Sequence, residues 1–152
     1  MMRAMLSVIA GYAAMFLTVF LTFSATYLAM GTERAFQPGT YEVSSLWIVI
    51  SFVLGLVAAV LGGWLCALIS RGGKAFVALA GIVLILGLLM VFPVMQANQE
   101  ASPPRTAEVG NLEAMGKARQ PTWIAIANPL LGCAGVLLGG RLQRGQSPPA
   151  VT

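Results

Sequence analysis

Four long stretches without Asp, Glu, Lys or Arg limit the possible folds of this chain more than any other feature. They run through residues 6–30, 43–70, 75–95 and 122–140. About 20 apolar residues in a helix cross a hydrocarbon core roughly 30 Å thick. Helices also satisfy their own backbone hydrogen bonds, and the alternation of barrel strands is missing. The sequence therefore predicts an all-α polytopic membrane protein, a bundle of four transmembrane helices at about 6–30, 46–70, 75–95 and 122–141.

The composition leaves little material for a soluble domain. Of the 152 residues, 58% are hydrophobic and 9% are charged, whereas soluble domains carry about 25% charged residues. The longest polar segment, 96–121, is too short to bury a core of its own. We therefore expect a single membrane domain over residues 1–142. Within it, segment 96–121 forms a loop with a short interfacial helix in 106–119, and the tail 143–152 is expected to be disordered.

The distribution of charge predicts the orientation. Four spans place both termini and the turn at 71–74 on one side of the membrane. Because cytoplasmic loops carry an excess of Lys and Arg, we expect both termini to lie in the cytoplasm, across a bacterial-type cytoplasmic (inner) membrane. The same side would then present a basic rim to anionic lipid headgroups. That side has no acidic residue and holds Arg3 together with the rim residues Arg71, Lys74, Arg141 and Arg144.

Small residues recur every four positions in three of the predicted spans, and Gly132 flanks the four-residue pair Gly135 and Gly139 of the fourth span. Four-residue spacing places side chains on one helix face, and small side chains there let membrane helices approach closely. These faces either pack the four helices against one another or dock onto another subunit, and both interpretations stay open. The residues are Ala10, Ala14, Thr18 and Thr22 in the first span, Ser51, Gly55, Ala59, Gly63 and Ala67 in the second, and Gly132, Gly135 and Gly139 in the fourth.

The dipeptide Asn128-Pro129 is the main polar feature inside a predicted span. Asn favours the residue before a helix and Pro favours its first turn. The last helix would then restart here and offer free N–H groups to an anion or water within the membrane. The alternative is a proline tolerated near a helix end.

The chain offers few groups for catalysis or for binding a metal. It contains no His and no Asp, and its only cysteines, Cys66 and Cys133, lie within predicted spans at different depths. We expect no enzyme activity, no metal and no cofactor. The rim charges lack the stacking aromatics of a nucleic-acid site, so we expect no nucleic-acid partner.

These observations favour a structural or accessory subunit of the membrane. Its expected partners are membrane lipids and either a larger membrane protein or further copies of this chain, held through the Gly/Ala-rich faces. The alternative is an oligomeric channel or facilitator for a neutral or anionic small solute, built around the threonines of the first span or around Asn128.

Overall fold

The computed structural model describes residues 2–71, 74–100, 104–105 and 109–145, and it is helical. Four helices are long and apolar enough to cross a membrane, which confirms the predicted spans. In chain order the elements are α1 (Met2–Met30), α2 (Thr32–Ala35), α3 (Ser45–Ile69), α4 (Ala75–Leu89), α5 (Val91–Gln99), α6 (Asn111–Lys117) and α7 (Thr122–Gly145).

The long helices form a ring in the order α1, α3, α7 and α4, with α5 continuing the direction of α4 and packing on α7. At one end, which we call the termini end, the last turn of α7 meets the start of α4, where the Arg144 guanidinium lies 4.7 Å from the Phe76 ring centroid. At the opposite loop end, Ser24 of α1 accepts a hydrogen bond from Asn111 of α6. The start of α1 and the end of α7 therefore lie at the same end of the bundle.

Local sequence signals explain several helix ends. The Ser44 hydroxyl accepts a hydrogen bond from the Trp47 N–H and caps the start of α3. Gly39, with φ of +69°, follows Pro38 in the turn that leads from α2 back to α3. Pro93 lies in the first turn of α5, just after α4 ends at Leu89.

The halves of the bundle are packed in different ways. In the termini half, small residues bring α3 and α7 into backbone contact. A Cβ added at Gly139 would lie 2.9 Å from the Trp64 backbone N, and one at Gly63 would lie 2.7 Å from the Val136 Cα. Around this contact lies a buried group that we call the bundle cluster: Ala59, Cys66, Ala67, Ala75, Phe76, Leu79, Ala80 and Val136.

In the loop half, aromatic side chains separate the same helices. Phe23 of α1 packs edge-on against Trp47 of α3, with ring centroids 5.8 Å apart. Phe52 of α3 lies 6.1 Å from Trp123 of α7 by the same measure. Since rings hold backbones further apart than glycines do, the bundle is wider here.

The structure decides between the two interpretations of Asn128-Pro129 and corrects one prediction. Helix α7 runs without interruption from Thr122 to Gly145, so Pro129 is tolerated inside the helix and the helix does not restart there. The interfacial helix is shorter than predicted, Asn111–Lys117, and lies against the bundle end with Ala114 buried. Residues 106–108 of that prediction, and 146–152 of the predicted disordered tail, lie outside the described residues, while 143–145 belong to α7.

Candidate functional site

The loop end of the bundle is covered by a folded structure that we call the loop cap, residues 31–44, 104–105 and 109–121. Buried residues of the loop cap and Tyr27 at the end of α1 form the cap cluster: Tyr27, Ala35, Phe36, Val43 and Ala114. The Tyr27 hydroxyl donates to the Val109 carbonyl at 2.6 Å and lies 3.0 Å from the Thr32 hydroxyl. These bonds attach the cap to the end of α1.

Arg105 holds the cap together. Its side chain is 3% exposed and its Nη1 lies 2.9 Å from the Glu33 carboxylate. Its Nε donates to the Thr40 carbonyl at 3.1 Å, and its backbone N–H donates to the Gly39 carbonyl at 2.9 Å. A buried guanidinium is costly unless its donors are satisfied, so this charge fixes the 37–40 turn in place.

The exposed side of α6 carries one more ion pair. The Lys117 ammonium donates to Glu113 at 2.9 Å, and the Tyr41 hydroxyl donates to the same carboxylate oxygen at 3.0 Å. The hydrogen bonds from Lys117 and Tyr41 lower the pKa of Glu113, and the bond to Glu113 raises the pKa of Lys117. The pair ties α6 to the cap segment that contains Tyr41.

A cavity of about 490 Å³ separates the cap cluster from the bundle cluster. We call it the central cavity. Trp47 and Val43 lie on its cap side, and Met15 and Val83, which pack on the bundle cluster, lie on the other side. Its wall is mainly apolar, like that of most small-molecule sites. The polar contributions come from Ser51, Asn128 and Gln120.

Tight packing closes the central cavity toward the termini end. Ala59, Leu79 and Val136 are all fully buried there. The bundle is thus solid below the cavity, which therefore ends blind inside a single chain.

A second space lies above the central cavity, within the loop cap. This polar pocket has a volume of about 270 Å³ and shares Val43 and Gln120 with the central cavity. It lies just beyond the starts of α3 and α7 and the end of α5. The other lining residues are Gln37, Glu42, Asn98, Glu100, Arg119 and Pro121.

Non-local hydrogen bonds hold the segments that line the polar pocket. Glu42 and Arg119 are paired as neighbours in a parallel bridge, in which the Val43 N–H donates to the Arg119 carbonyl at 3.0 Å. The Asn98 amide donates to the Gln120 carbonyl at 3.1 Å and so joins α5 to the cap. The pocket walls are therefore fixed by backbone.

A third space runs along the outside of the bundle between α1 and α4. This lateral groove has a volume of about 290 Å³ and is lined almost entirely by apolar side chains, including Phe16 and Leu86. It shares Met15, Val19 and Val83 with the central cavity. The two spaces therefore adjoin along these three side chains.

The predicted small-residue faces fall into two groups in the second and fourth spans. Ala59, Gly63, Gly135 and Gly139 lie buried where α3 and α7 meet, and Ala67 lies in the bundle cluster. These faces pack the chain against itself, so a partner could not reach them without opening the bundle. Ser51, Gly55 and Gly132 instead line the central cavity.

The ladder predicted on α1 lies beside the packed face. Ala10, Ala14, Thr18 and Thr22 are only half-buried, while Ser7, Gly11 and Tyr27 are the buried residues of this helix. The packed stripe is thus shifted by one residue. The Thr22 hydroxyl donates to the carbonyl of Thr18 in its own helix, at 2.7 Å.

The structure places the predicted polar residues at different sites. Asn128 lines the central cavity, whereas Pro129 is buried against α4, where a Cβ on Gly87 would lie 3.1 Å from its Cγ. The rim residues Arg71, Lys74, Arg141 and Arg144 lie at the termini end, and the first three are exposed.

Sequence reasoning missed the polar pocket, the lateral groove and the structural role of Arg105. The one signal for the cavity was the change along α3 from Trp47 and Phe52 to Ala59 and Gly63. No family model, no curated protein and no solved structure matches this chain.

Proposed function

We propose that this protein is an accessory membrane protein that binds one amphiphilic molecule, with the apolar part of that molecule in the central cavity. The observation that carries the proposal is the 490 Å³ apolar space between two separately packed clusters. Spaces of roughly 300–1,000 Å³ are typical of ligand sites. In this proposal the chain contributes binding and no chemistry.

The orientation belongs to the same proposal. Both termini face the cytoplasm of a bacterial-type cell, and the cavity opens in the outer half of the cytoplasmic membrane. The charges support this, because the cap bases Arg105 and Lys117 are paired with carboxylates, whereas the termini end has the exposed bases Arg71, Lys74 and Arg141 and no acid among its described residues. A cysteine introduced at Leu112, which is exposed on the cap, should react with a membrane-impermeant thiol reagent added to intact cells. Protection until the cells are opened would reverse the orientation.

Gly55 provides the sharpest test of ligand binding. It lines the central cavity, and a Cβ built on it has no atom within 4 Å. Gly55→Leu should therefore fill the cavity without straining the helices. The matched control is Gly81→Leu on α4, which is equally unobstructed and does not line the described cavity.

The measurement is crosslinking of a phospholipid with a photoactivatable group at the end of one acyl chain. In the wild-type protein and in Gly81→Leu, we expect labelled peptides from residues 51–56 and 128–132. Gly55→Leu should lose this labelling by about tenfold or more. Equal labelling of all three proteins, or labelling confined to the outward side of α1, would refute the proposal.

A second role, docking to a membrane partner, is favoured by the surface beside α1. Only 11% of the most apolar window of this helix is buried. Tyr12 and Phe16 border both the lateral groove and a neighbouring hollow that also includes Ala13. We propose that a transmembrane helix of a partner or of a second copy packs in this neighbouring hollow and leaves the lateral groove open. Ala13→Trp should then abolish co-purification of that partner in mild detergent while phospholipid labelling persists. Unchanged native size would count against it.

The blind end of the cavity disfavours solute flux through a single chain. An oligomeric channel stays testable by flux into liposomes that contain the purified protein. If flux exceeded that of empty liposomes and fell in Asn128→Leu, the channel alternative would replace the binding role.

A further inference from the structure

The polar pocket and the central cavity together have the shape of a site for a whole lipid. They meet at Val43 and Gln120, with the polar space just beyond the starts of α3 and α7 and the apolar space below it. We infer that the ligand is a membrane phospholipid whose headgroup carries a primary amine, with its phosphate at Arg119, its ammonium at Glu42 and Glu100, and one acyl chain in the central cavity. This inference rests on the proposed binding function and deepens it.

The charges of the polar pocket identify the headgroup. Arg119 supplies one positive group, and Glu42 and Glu100 supply two carboxylates. Among the described residues, the ion pairs are Arg105–Glu33 and Lys117–Glu113, and neither involves these three side chains. The Arg119 guanidinium is instead directed to the Glu100 backbone carbonyl.

Unpaired groups of both signs around one pocket suit a ligand that itself carries both signs. A phosphate accepts the parallel N–H donors of a guanidinium. An ammonium carries three donors that carboxylates accept. A purely anionic headgroup would satisfy Arg119 but would face two carboxylates, and like charges at close range reduce affinity.

Backbone pairing holds the segments that carry these charges in place before a ligand arrives. The bridge between Glu42 and Arg119 fixes their relative position, and the Asn98 bond to Gln120 closes the pocket from α5. A site assembled in advance loses less conformational entropy when it binds.

The lateral groove supplies the route from the bilayer. Met115, Ala118 and Gln120 of the cap cover the central cavity from above. The cavity adjoins the groove along Met15, Val19 and Val83. Met is unbranched and adapts its shape easily, so a chain can pass between α1 and α4 without unfolding a helix. Entry from the membrane also explains why a membrane lipid, and not a water-soluble amphiphile, is the occupant.

The test compares three phospholipids with the same acyl chains and different headgroups. Phosphatidylethanolamine has a phosphate and a primary ammonium, phosphatidylglycerol has the phosphate alone, and phosphatidylcholine has an ammonium without N–H donors. Each is added in equal amount to the purified full-length protein in mild detergent, and the bound lipid is measured by native mass spectrometry. We expect phosphatidylethanolamine to be retained about tenfold more than either of the others.

Two isosteric variants locate the headgroup. Glu42→Gln and Glu100→Gln together should lower the retention of phosphatidylethanolamine by about tenfold, while the retention of the other two lipids stays within about twofold. The matched control is Glu113→Gln, which removes a cap carboxylate that does not line the polar pocket, and it should keep the preference.

The outcomes separate the inference from the proposed function. If lipid is retained and is lost in Gly55→Leu, but all three headgroups bind equally, the cavity binds a chain and the headgroup inference is wrong. If no lipid is retained, or if Gly55→Leu has no effect on retention, the proposed function itself fails. A preference for phosphatidylglycerol would overturn the assignment of the carboxylates.

Discussion

The termini half and the loop half of this bundle contain the same four helices but solve the packing problem in opposite ways. In the termini half, Gly63 and Gly139 let α3 and α7 touch through their backbones, and Leu79 fills the remaining space. In the loop half, the ring pairs Phe23–Trp47 and Phe52–Trp123 keep the helices apart. Side-chain size along α3 therefore decides where the bundle is solid and where it is hollow.

The largest expected effect comes from disturbing the solid half. A Cβ at Gly139 would lie 2.8 Å from the Val60 backbone carbon and 2.9 Å from the Trp64 N. Backbone atoms cannot move aside as a flexible side chain can, so Gly139→Leu should cost about 3 kcal/mol or more in the free energy of unfolding. Thermal unfolding in detergent should show a large loss for Gly139→Leu and almost none for the control Gly81→Leu. Equal stability of the two variants would show that α3 and α7 are not packed as described.

A pair of leucine truncations compares the two halves directly. Leu79 is fully buried in the bundle cluster, whereas Leu131 is half-buried and borders the central cavity. In a lipid environment, truncating a buried side chain lowers the free energy of unfolding mainly because packing contacts are lost. We therefore expect Leu79→Ala to cost about 2 kcal/mol and Leu131→Ala less than about 1 kcal/mol. Chemical denaturation in mixed micelles would measure both. If Leu131→Ala proved the more costly, the loop half would be better packed than the cavity implies.

The sequence predicts the spans well because charge-free length is a local property. The predicted bounds 46–70 and 122–141 correspond to Ser45–Ile69 and Thr122–Gly145. The sequence does not predict which face of α1 is packed. The ladder of Ala and Thr and the neighbouring stripe with Ser7 and Gly11 are both rich in small residues. Spacing alone does not choose between two such stripes.

The loop cap and its pocket could not be predicted in the same way. The Arg105 side chain reaches residues 33–40, and the backbone at Glu42 forms a bridge with the backbone at Arg119. The cap therefore depends on contacts between segments far apart in the chain. Neither segment has a periodic pattern that announces this pairing. The cavity is harder still to predict, because it is a place where side chains fail to meet.

The smallest expected effect concerns the pH dependence of the cap. Because the pKa of Glu113 is lowered in the folded protein, its stabilising contribution is complete above the ordinary pKa of a glutamic acid and is lost as the pH falls through the lowered value. The raised pKa of Lys117 works in the opposite direction, so its contribution is lost only as the pH rises through that raised value. The pair is exposed, and its contribution to stability is small.

Hydrogen exchange at the α6 amides, corrected for the intrinsic effect of pH, should therefore show protection that is constant near neutrality and weakens below about pH 4. Glu113→Gln should lower that protection near neutrality and remove its acid dependence, whereas protection of the α3 and α7 amides in the termini half should not change. If α6 lost protection in acid equally with and without Glu113, another group would control the cap, and α6 would not be held by this pair.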